Sequence, residues 1–304
     1  MNILRFLMVS LLLAFISLAF VFPQLSNASD PLDAWTSRTS GTSSDLIGVT
    51  FASGTLVVVG RAGTILTSPD GITWTSRTSG TSSDLIGVTF ASGTFVVVGR
   101  AGTILTSPDG ITWTSRTSGT SGSFSGVTFA SGTFVVVGGA GTVLTSPDGI
   151  TWTSGTSGTT DYLNGITFAS GAFVVVGNPG TILTSPDGIT WTSAASGTTH
   201  YLSGISYGSG TFVAVGGAGT ILTSPHGTAW TSRTSGTSVD LNGATFASGT
   251  FFVVGSAGII LTSPDGITWK SRASGSTHYL NGATRASGTF VIVGDSGTIL
   301  TSSD

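Results

Sequence analysis

Short apolar segments alternate with small polar and glycine-rich stretches along nearly the whole chain. Between residues 46 and 76 there are four such segments: Leu46–Phe51, Thr55–Gly60, Thr64–Ser68 and Ile72–Ser76. Each has the length and the β-branched and aromatic content of a strand, and none keeps a 3.6-residue period long enough for a helix. The pattern therefore predicts four short β-strands.

The connections between these segments are short turns. Ala52-Ser53-Gly54 and Arg61-Ala62-Gly63 contain Gly, and Ser68-Pro69-Asp70-Gly71 places Pro and Gly where a type I turn favours them. Connections this short join only antiparallel neighbours, so we expect the four strands to form a meander.

The unit recurs with a fixed period. Tryptophan stands at 39-residue intervals, at Trp35, Trp74, Trp113, Trp152, Trp191, Trp230 and Trp269. A period of this size is typical of solenoids, propellers and arrays. The second strand, Val57-Val58-Val59, is apolar on both faces and needs cover on both sides of its sheet, which stacked sheets provide. We therefore predict an all-β fold, a seven-bladed β-propeller of four-stranded antiparallel blades; a β-solenoid, the alternative, requires parallel coils and shorter repeats.

The two ends of the repeat array complement each other. An isolated fourth-strand sequence, Ala34–Ser37, precedes the first complete unit, and the chain stops at Asp304, just after the third strand of the last unit. We expect the strand of Trp35 to pair beside Thr298–Leu300. This pairing would close the ring and remove an exposed sheet edge.

The turn before each tryptophan carries a recognisable motif. Ser68-Pro69-Asp70-Gly71-Ile72-Thr73-Trp74 resembles the Asp-box of sialidase-type (BNR) propellers, with one residue fewer between Asp and Gly, and the wider repeat is similar to those of photosystem II assembly and stability factors. The resemblance covers residues 35–304. It implies a structural turn between the third and fourth strands for the repeated aspartates, which are Asp70, Asp109, Asp148, Asp187 and Asp265.

The composition narrows the chemistry. The chain of 304 residues has 46 Gly, no Cys and no Glu, and its charged residues amount to 8%. Without Cys there is no disulfide, thiolate metal site or Cys nucleophile. A formal net charge of -3 argues against nucleic-acid binding, which requires a basic face. We expect no cofactor and no metal site, since no set of His, Cys and carboxylate ligands is spaced to converge.

The N-terminus is typical of an export signal. A weakly basic start is followed by an apolar run, Phe6–Phe22, and then by the small residues Ser26-Asn27-Ala28. We predict a signal peptide over residues 1–28, cleaved after Ala28, and a single propeller domain over residues 29–304. The mature protein would then be secreted or extracytoplasmic, with no stable membrane span. An uncleaved anchor is the alternative.

The units differ mainly on one rim. The meander places the connections between units and the second-to-third turns on the same rim, here called the top rim. Its variable positions supply the candidate ligand-binding residues, which are Asp161, Tyr162, His200, Tyr201, His278, Tyr279, Asn178, Asp295, Arg61 and Arg100. Tyrosine rings there can stack on a sugar or a peptide, while Asp and His can form hydrogen bonds. Drift at solvated loops is the alternative explanation.

Arginines are concentrated in one sector of this rim. Arg38, Arg77 and Arg116 follow their tryptophans toward it, where Arg61 and Arg100 also lie. Such a sector can attract an acidic partner. The alternative is that these arginines form ordinary surface ion pairs.

Three functions are consistent with the sequence, and none of them is enzymatic. The first is a secreted monomeric binding or scaffold module that takes a protein or glycan ligand on its top rim. The second is a lectin with repeated sites, and the third, by resemblance, is a photosystem-assembly factor. A sialidase-type hydrolase is disfavoured, because that family's chemistry uses a Glu to assist its Tyr nucleophile and this chain has no Glu.

Overall fold

A computed structural model describes residues 31–303. The first strands of the seven blades are Leu46–Ala52 (β2), Leu85–Ala91 (β6), Phe124–Ala130 (β10), Tyr162–Ala169 (β14), Leu202–Gly208 (β18), Leu241–Ala247 (β22) and Leu280–Ala286 (β26). The second strands are Thr55–Gly60 (β3), Thr94–Gly99 (β7), Thr133–Gly138 (β11), Ala172–Asn178 (β15), Thr211–Gly216 (β19), Thr250–Gly255 (β23) and Thr289–Gly294 (β27).

The outer half of each blade is shorter. The third strands are Ile65–Ser68 (β4), Ile104–Ser107 (β8), Thr142–Ser146 (β12), Ile182–Ser185 (β16), Ile221–Ser224 (β20), Ile260–Ser263 (β24) and Ile299–Ser303 (β28). The fourth strands are Thr36–Arg38 (β1), Thr75–Arg77 (β5), Thr114–Arg116 (β9), Thr153–Thr156 (β13), Thr192–Ser193 (β17), Thr231–Arg233 (β21) and Lys270–Arg272 (β25). Short 3-10 turns lie at Pro31–Asp33, Arg61–Gly63, Gly139–Gly141, Gly217–Gly219, Ser256–Gly258 and Asp295–Gly297.

Each blade is an antiparallel meander, as the turns predicted. Blades 1 to 6 are the sheets β2–β5, β6–β9, β10–β13, β14–β17, β18–β21 and β22–β25. Blade 7 has the order β1-β28-β27-β26, with Thr36 opposite Thr301 and Arg38 opposite Ile299. The predicted seven-bladed propeller is therefore confirmed, and so is its closure by the N-terminal strand.

The hydrophobic core consists of layers between neighbouring blades. In β3, Val58 packs toward Val291 and Val293 of blade 7, while Val57 and Val59 pack toward blade 2. All three valines of β3 are fully buried. The apolar character of both faces of the second strand follows from this stacking, because each blade is covered on both sides.

The tryptophans lie at the outer edge of these layers. Trp74 packs on the layer between blades 7 and 1, and Trp113 packs on the layer between blades 1 and 2. The indole Nε1 of Trp74 donates to the carbonyl oxygen of Gly71 at 3.2 Å, which anchors the ring to its own turn. Filling this interface explains why a tryptophan recurs in every blade, and its Nε1 donates locally except at Trp191, where it is buried without a hydrogen-bond partner.

The aspartates before the tryptophans hold their turns together. Asp70 Oδ1 accepts hydrogen bonds from the backbone N–H groups of Ile72 and Thr73 at 2.8 and 3.0 Å, and Ser68 Oγ accepts one from Gly71 N. The same bonds form around Asp109, Asp148, Asp187 and Asp265. The N–H groups of Ile72 and Thr73 hold the pKa of the Asp70 carboxyl below its ordinary value of 3.8.

The fourth strand begins later than predicted. The sequence suggested a strand from Ile72, but β5 starts at Thr75, after the tryptophan. The reason is that the Asp70 carboxylate accepts the N–H groups of Ile72 and Thr73, so the turn extends through both residues.

The innermost strands approach one another closely at a glycine in each blade, and at three of these glycines a Cβ would lie less than 3.0 Å from a carbonyl oxygen of the next blade. Each first strand has a bulge just before a glycine, as between Leu46 and Gly48. A Cβ on Gly48 would lie 2.6 Å from the carbonyl oxygen of Ile86 in blade 2, and one on Gly282 would lie 2.8 Å from that of Ile47. The second contact joins blade 7 to blade 1, so the same close approach at a glycine also occurs where the propeller closes.

We predict that alanine at Gly243 destabilises the fold more than alanine at Gly126. A Cβ at Gly243 would lie 2.5 Å from the Asn281 carbonyl oxygen, whereas at Gly126 the nearest atoms, two methyl carbons, lie at 3.2 Å. Overpacking against backbone costs about 1–3 kcal/mol, and side chains yield more easily than a carbonyl. Thermal unfolding of the two variants measures the difference. Equal melting temperatures would show that the close approach does not limit the packing of blades.

We predict that His226→Asp stabilises blade 5 at neutral pH. Blade 5 keeps the bond from Gly227 N to Ser224 Oγ but has an imidazole where the other turns have a carboxylate. Restoring the aspartate should raise the Tm by roughly 1–2 °C.

This gain should depend on pH. In the equivalent turn of blade 6, the N–H groups of Thr268 and Ile267 lower the pKa of Asp265. A lowered folded-state pKa stabilises the protein above the unfolded pKa, and that stability is lost as the pH falls through the folded value. The Tm gain should therefore vanish in strong acid, and the reverse change, Asp265→His, should lower the Tm at pH 7. A gain that is the same at pH 7 and pH 2 would rule out the carboxylate as its source.

Candidate functional site

The top rim consists of the second-to-third turns and the loops between blades, and these two sets of loops are joined by hydrogen bonds. The second-to-third turn of one blade docks on the loop that leads into the next, as Gly63 N donates to Ser83 O at 2.9 Å. The contact repeats across the ring closure, where Gly297 N donates to Ser44 O at 2.9 Å. Side chains at these positions are therefore held on a fixed frame, although they lie in loops.

The arginines of blades 1 and 2 are engaged within their own blades. Arg61 Nε lies 3.0 Å from Asp45 Oδ2, and Arg100 Nε lies 3.3 Å from Asp84 Oδ2. Arg77 Nε donates to Thr67 Oγ1 across the outer strand pair. The ion-pair interpretation therefore holds for Arg61 and Arg100, whereas Arg38, Arg77 and Arg116 donate to threonine hydroxyls and keep their positive charge unpaired by these bonds.

A further ion pair ties the N-terminal segment to blade 6. Asp33 lies 2.7 Å from Arg272 Nη1 and 3.5 Å from Lys270 Nζ on strand β25. The hydrogen bond from Arg272 lowers the pKa of the Asp33 carboxyl. The segment that closes blade 7 thus also contacts its neighbour.

The three candidate tyrosines are exposed on the rim, but their rings do not all point the same way. Their exposed fractions are 60% for Tyr162, 36% for Tyr201 and 53% for Tyr279. The ring of Tyr162 lies over Gly139 of the preceding blade, while that of Tyr201 lies over Gly217 of its own blade. Both glycines leave room that a side chain would fill. The ring directions therefore depend on the residue in the neighbouring turn.

The hydroxyl of Tyr201 lies close enough to the Asp240 carboxylate of blade 6 to affect its pKa. Burial is the main reason that the pKa of Tyr201 is raised to about 12, with further contributions from Asp240 and Tyr279. Asp240 Oδ1 accepts the N–H of Ala218 at 2.9 Å, and this bond is the main cause of its lowered pKa. The result is a fixed, ionised carboxylate beside exposed aromatic rings. Asp240 was not among the predicted site residues, although it occupies the same repeat position as Tyr201 and Tyr279.

The candidate histidines are held by the turns beside them. His200 Nδ1 lies 3.1 Å from the carbonyl oxygen of Gly217, and His278 Nδ1 lies 3.2 Å from that of Asp295. A carbonyl oxygen only accepts, so Nδ1 carries the proton in the neutral ring and Nε2 is left as an acceptor.

Asparagines at the start of three first strands join neighbouring blades. Asn164 Nδ2 donates to Asn178 Oδ1 and to the Leu202 carbonyl oxygen of blade 5, each at 2.8 Å. Asn281 Nδ2 donates to Asp295 Oδ1 and to Leu46 O of blade 1. Two of the predicted ligand residues, Asn178 and Asp295, are thus positioned by bonds that also connect blades.

Asp161 lies apart from the tyrosine–aspartate pair. Its Oδ2 accepts the Thr181 hydroxyl at 2.6 Å, and its carbonyl oxygen accepts the N–H of Gly141. Within residues 31–303, no group of three or more His or Asp side chains is placed to hold a metal ion. Likewise, no helix in this part of the chain is long and apolar enough to cross a membrane.

Shallow grooves recur between the loops that connect the blades. One, with a volume of 770 Å³, lies between the loops Ser40–Ser43 and Ser276–His278. Others of 670, 470 and 530 Å³ lie at blades 3, 4 and 5. They are lined mainly by Ser, Thr and Gly, and thus offer hydroxyl and backbone groups at repeated positions.

Comparison with known proteins supports the fold class. No family model matches the sequence, and no curated protein does. Among solved structures, YCF48 from Cyanidioschyzon merolae is 18% identical with a TM-score of 0.72 and covers 89% of this chain and 98% of its own. YCF48 bound to D1 peptide is 18% identical with a TM-score of 0.75, covering 91% and 96%.

An enzyme shares the same architecture. A catalytically inactive virginiamycin B lyase from Staphylococcus aureus, with Quinupristin, is 13% identical with a TM-score of 0.81 and covers 89% of this chain and 99% of its own. At these identities the likeness defines the fold alone. The protein is therefore a seven-bladed β-propeller, similar in structure both to YCF48 and to a lyase.

We predict that His200 and His278 adopt the Nδ1–H tautomer when neutral, because each Nδ1 faces a carbonyl oxygen. Long-range ¹H–¹⁵N correlation spectra recorded above the titration range of the imidazoles identify the tautomer, with His226 on the opposite rim as an internal reference. Detection of the Nε2–H form at either position would show that the ring does not donate to the turn.

Proposed function

We propose that this protein is an exported, non-enzymatic binding module that takes a peptide segment of a partner protein on its top rim, and that it acts as a monomer. The observation that carries the proposal is the exposure of Tyr162, Tyr201 and Tyr279 at one repeat position of a chain whose units otherwise differ little. Exposed aromatic side chains on a rigid frame are the usual anchors of protein recognition.

The frame is suited to this role. The rim loops are fixed by the repeated bonds between a turn and the next loop, so a partner would meet a preorganised surface. The structure of YCF48 bound to D1 peptide is a propeller of this architecture that carries a peptide. This likeness supports a binding or scaffold role. An assembly-factor role, which the repeat resemblance suggested, is one form of it.

Two observations support a non-enzymatic role. Sialidase-type chemistry needs a reactive tyrosine, but burial and Asp240 raise the pKa of Tyr201 to about 12, which disfavours its nucleophilic form. The repeated aspartates such as Asp148 accept backbone N–H groups in their turns instead of facing a common cavity. The structural likeness to virginiamycin B lyase concerns the fold and assigns no reaction to this chain.

The proposal of export rests on the amino-acid sequence of the first 28 residues alone. These residues lie outside the part of the chain that the structure describes. Their basic start, apolar run and small residues before position 29 form a signal-peptide pattern. A chain without cysteine has no need of an oxidising compartment to fold, so export rests on this pattern only.

A glycan is the second candidate ligand, favoured by one specific observation. The grooves between the blade-connecting loops recur around the rim and are lined by Ser, Thr and Gly. Repeated polar grooves of this kind suit multivalent sugar binding, in which several weak sites act together.

We predict that replacing Tyr162, Tyr201 and Tyr279 together by alanine abolishes peptide binding without unfolding the protein. All three side chains are at least one-third exposed, so their loss removes contacts for a ligand and little of the core. Selection from a displayed peptide library, followed by affinity measurement with wild type and the triple variant, tests this. Ile72→Ala on the opposite rim is a matched control, because its side chain is similarly exposed.

A glycan array with the same proteins separates the two candidates. Failure of the library to yield any peptide, together with sugar binding that survives the triple substitution, would replace the peptide proposal by a lectin acting through the grooves.

A further inference from the structure

One repeat position on the top rim carries a carboxylate in three blades, with the same backbone contact each time. Asp45, Asp84 and Asp240 accept the N–H of the turn in the preceding blade, at 2.9, 3.1 and 2.9 Å respectively. The carboxylate is thus placed in the same way in blades 1, 2 and 6. A difference in what it binds must come from the other residues around it.

In blades 1 and 2 the second carboxylate oxygen binds a guanidinium. Arg61 contacts Asp45 and Arg100 contacts Asp84, each from the second-to-third turn of the same blade. The backbone supports this pairing, because Arg61 N donates to Asp45 O at 2.9 Å and Arg100 N to Asp84 O at 2.8 Å. Two blades of this protein therefore show that the carboxylate at this repeat position binds a guanidinium group.

Blade 6 has the same frame without the guanidinium. Ser256 stands where blades 1 and 2 have arginine, and its N–H donates to Asp240 O at 2.9 Å. Ser256 is 8% exposed, and its buried Oγ has no hydrogen-bond partner. Within residues 31–303, Asp240 forms no ion pair with Arg or Lys, and the imidazole of His200 lies nearby. Asp240 and Ser256 thus occupy the repeat positions of Asp45 and Arg61, and the Ser256 hydroxyl is left without a partner where blade 1 has a guanidinium.

Both neighbours of blade 6 carry a tyrosine at the repeat position of Asp240, whereas blade 1 has one such neighbour and blade 2 has none. The ring of Tyr201 lies over Gly217, whose blade also supplies the Ala218 N–H that the Asp240 carboxylate accepts, and both Asp240 and Tyr279 are near enough to Tyr201 to raise its pKa. The rings of Tyr201 and Tyr279 remain 36% and 53% exposed. Aromatic faces attract cations, and the planar guanidinium both stacks on such rings and forms paired bonds to a carboxylate.

We infer that the blade 6 cleft, formed by Tyr201, Asp240, Ser256 and Tyr279, binds the guanidinium of an arginine side chain supplied by a partner peptide. The partner's arginine takes the place that Arg61 and Arg100 occupy in blades 1 and 2. This inference rests on the proposed function and names the ligand chemistry of one part of the top rim. Arginine is preferred over lysine because the ammonium group lacks the planar fork.

The first test uses a pentapeptide probe, acetyl-Gly-Ser-Arg-Ser-Gly-amide, titrated into the ¹⁵N-labelled protein. The backbone signals of Ala218 and Ser256, which contact Asp240, should shift. The citrulline counterpart has the same shape without the charge and should bind at least about tenfold more weakly, since charge-assisted hydrogen bonds are the stronger ones. Equal affinity for the two peptides overturns the inference.

The second test fills the cleft from within. Ser256→Arg recreates the pair found in blades 1 and 2, so the variant should fold normally and lose binding of the arginine peptide by at least about tenfold. Ser76→Arg adds the same side chain at an exposed position of the outer strand β5 and is the matched control, expected to bind within about threefold of wild type. Asp240→Asn should lose binding as Ser256→Arg does. Undiminished binding by Ser256→Arg overturns the inference.

The two proposals fail in different ways. A library-selected peptide that loses affinity in the triple tyrosine variant but not in Ser256→Arg would leave the peptide-binding function standing and refute the arginine cleft. Selection of acidic peptides whose binding depends on Arg61 would do the same. Shifts of Ala218 and Ser256 with the arginine probe, when the library yields no peptide, would support the cleft and refute the broader function.

Discussion

The propeller depends on how closely its innermost strands approach one another. At Gly48 and its equivalents the backbone of one blade lies against the bulge carbonyl of the next, and a Cβ would fall within about 2.5–3.3 Å of neighbouring atoms. The backbone at these positions is outside the positive-φ region, so the glycine is needed for space and not for conformation. The constraint repeats at each junction, including the one between Gly282 and Ile47, and thus fixes how each blade sits on its neighbour.

The low charge of the chain follows from how polar groups are satisfied around this core. Backbone N–H groups in the turns are bound by Ser68 Oγ and Asp70 Oδ1, and the indole of Trp74 donates to a carbonyl of the same turn. The loops between blades use Ser and Thr in the same way, as Ser79 Oγ donates to Thr81 O. One blade can therefore satisfy its own turns with short uncharged side chains and a single carboxylate. Repetition of that blade gives a surface rich in hydroxyl groups and poor in ion pairs.

Much of the fold could be predicted from the sequence, because the sequence of each strand and turn recurs in successive units. The closing strand around Trp35 was predictable from the unmatched segments at the two ends. The start of β5 was not, since it depends on which N–H groups Asp70 accepts. The bulge after Leu46 also leaves no mark in the pattern, because it arises from the approach of the neighbouring blade.

The candidate site was less predictable for a related reason. The position of Tyr201 in the repeat placed it on the top rim, but the residue opposite decides where its side chain goes. The ring of Tyr162 covers a glycine in the preceding blade, whereas Tyr201 covers one in its own blade and reaches Asp240. The sequence also gives no sign that the Asp240 carboxylate accepts the N–H of Ala218 and lies near Tyr201.

The differences among the blades make one sector of the top rim chemically unlike the rest. In blades 1 and 2 the carboxylate at the rim is closed by an arginine from the same blade, so these blades present neutralised pairs. In blades 5 to 7 the equivalent positions carry Tyr201, Asp240 and Tyr279, and the arginine position of blade 6 holds the small, buried Ser256. A ring of nearly identical units thus acquires one polar and aromatic sector without any change of backbone. The residues at two positions of the repeat decide whether the rim carboxylate is paired with an arginine of the same blade. The residues that maintain the fold of the propeller are therefore different from those that can determine what it binds.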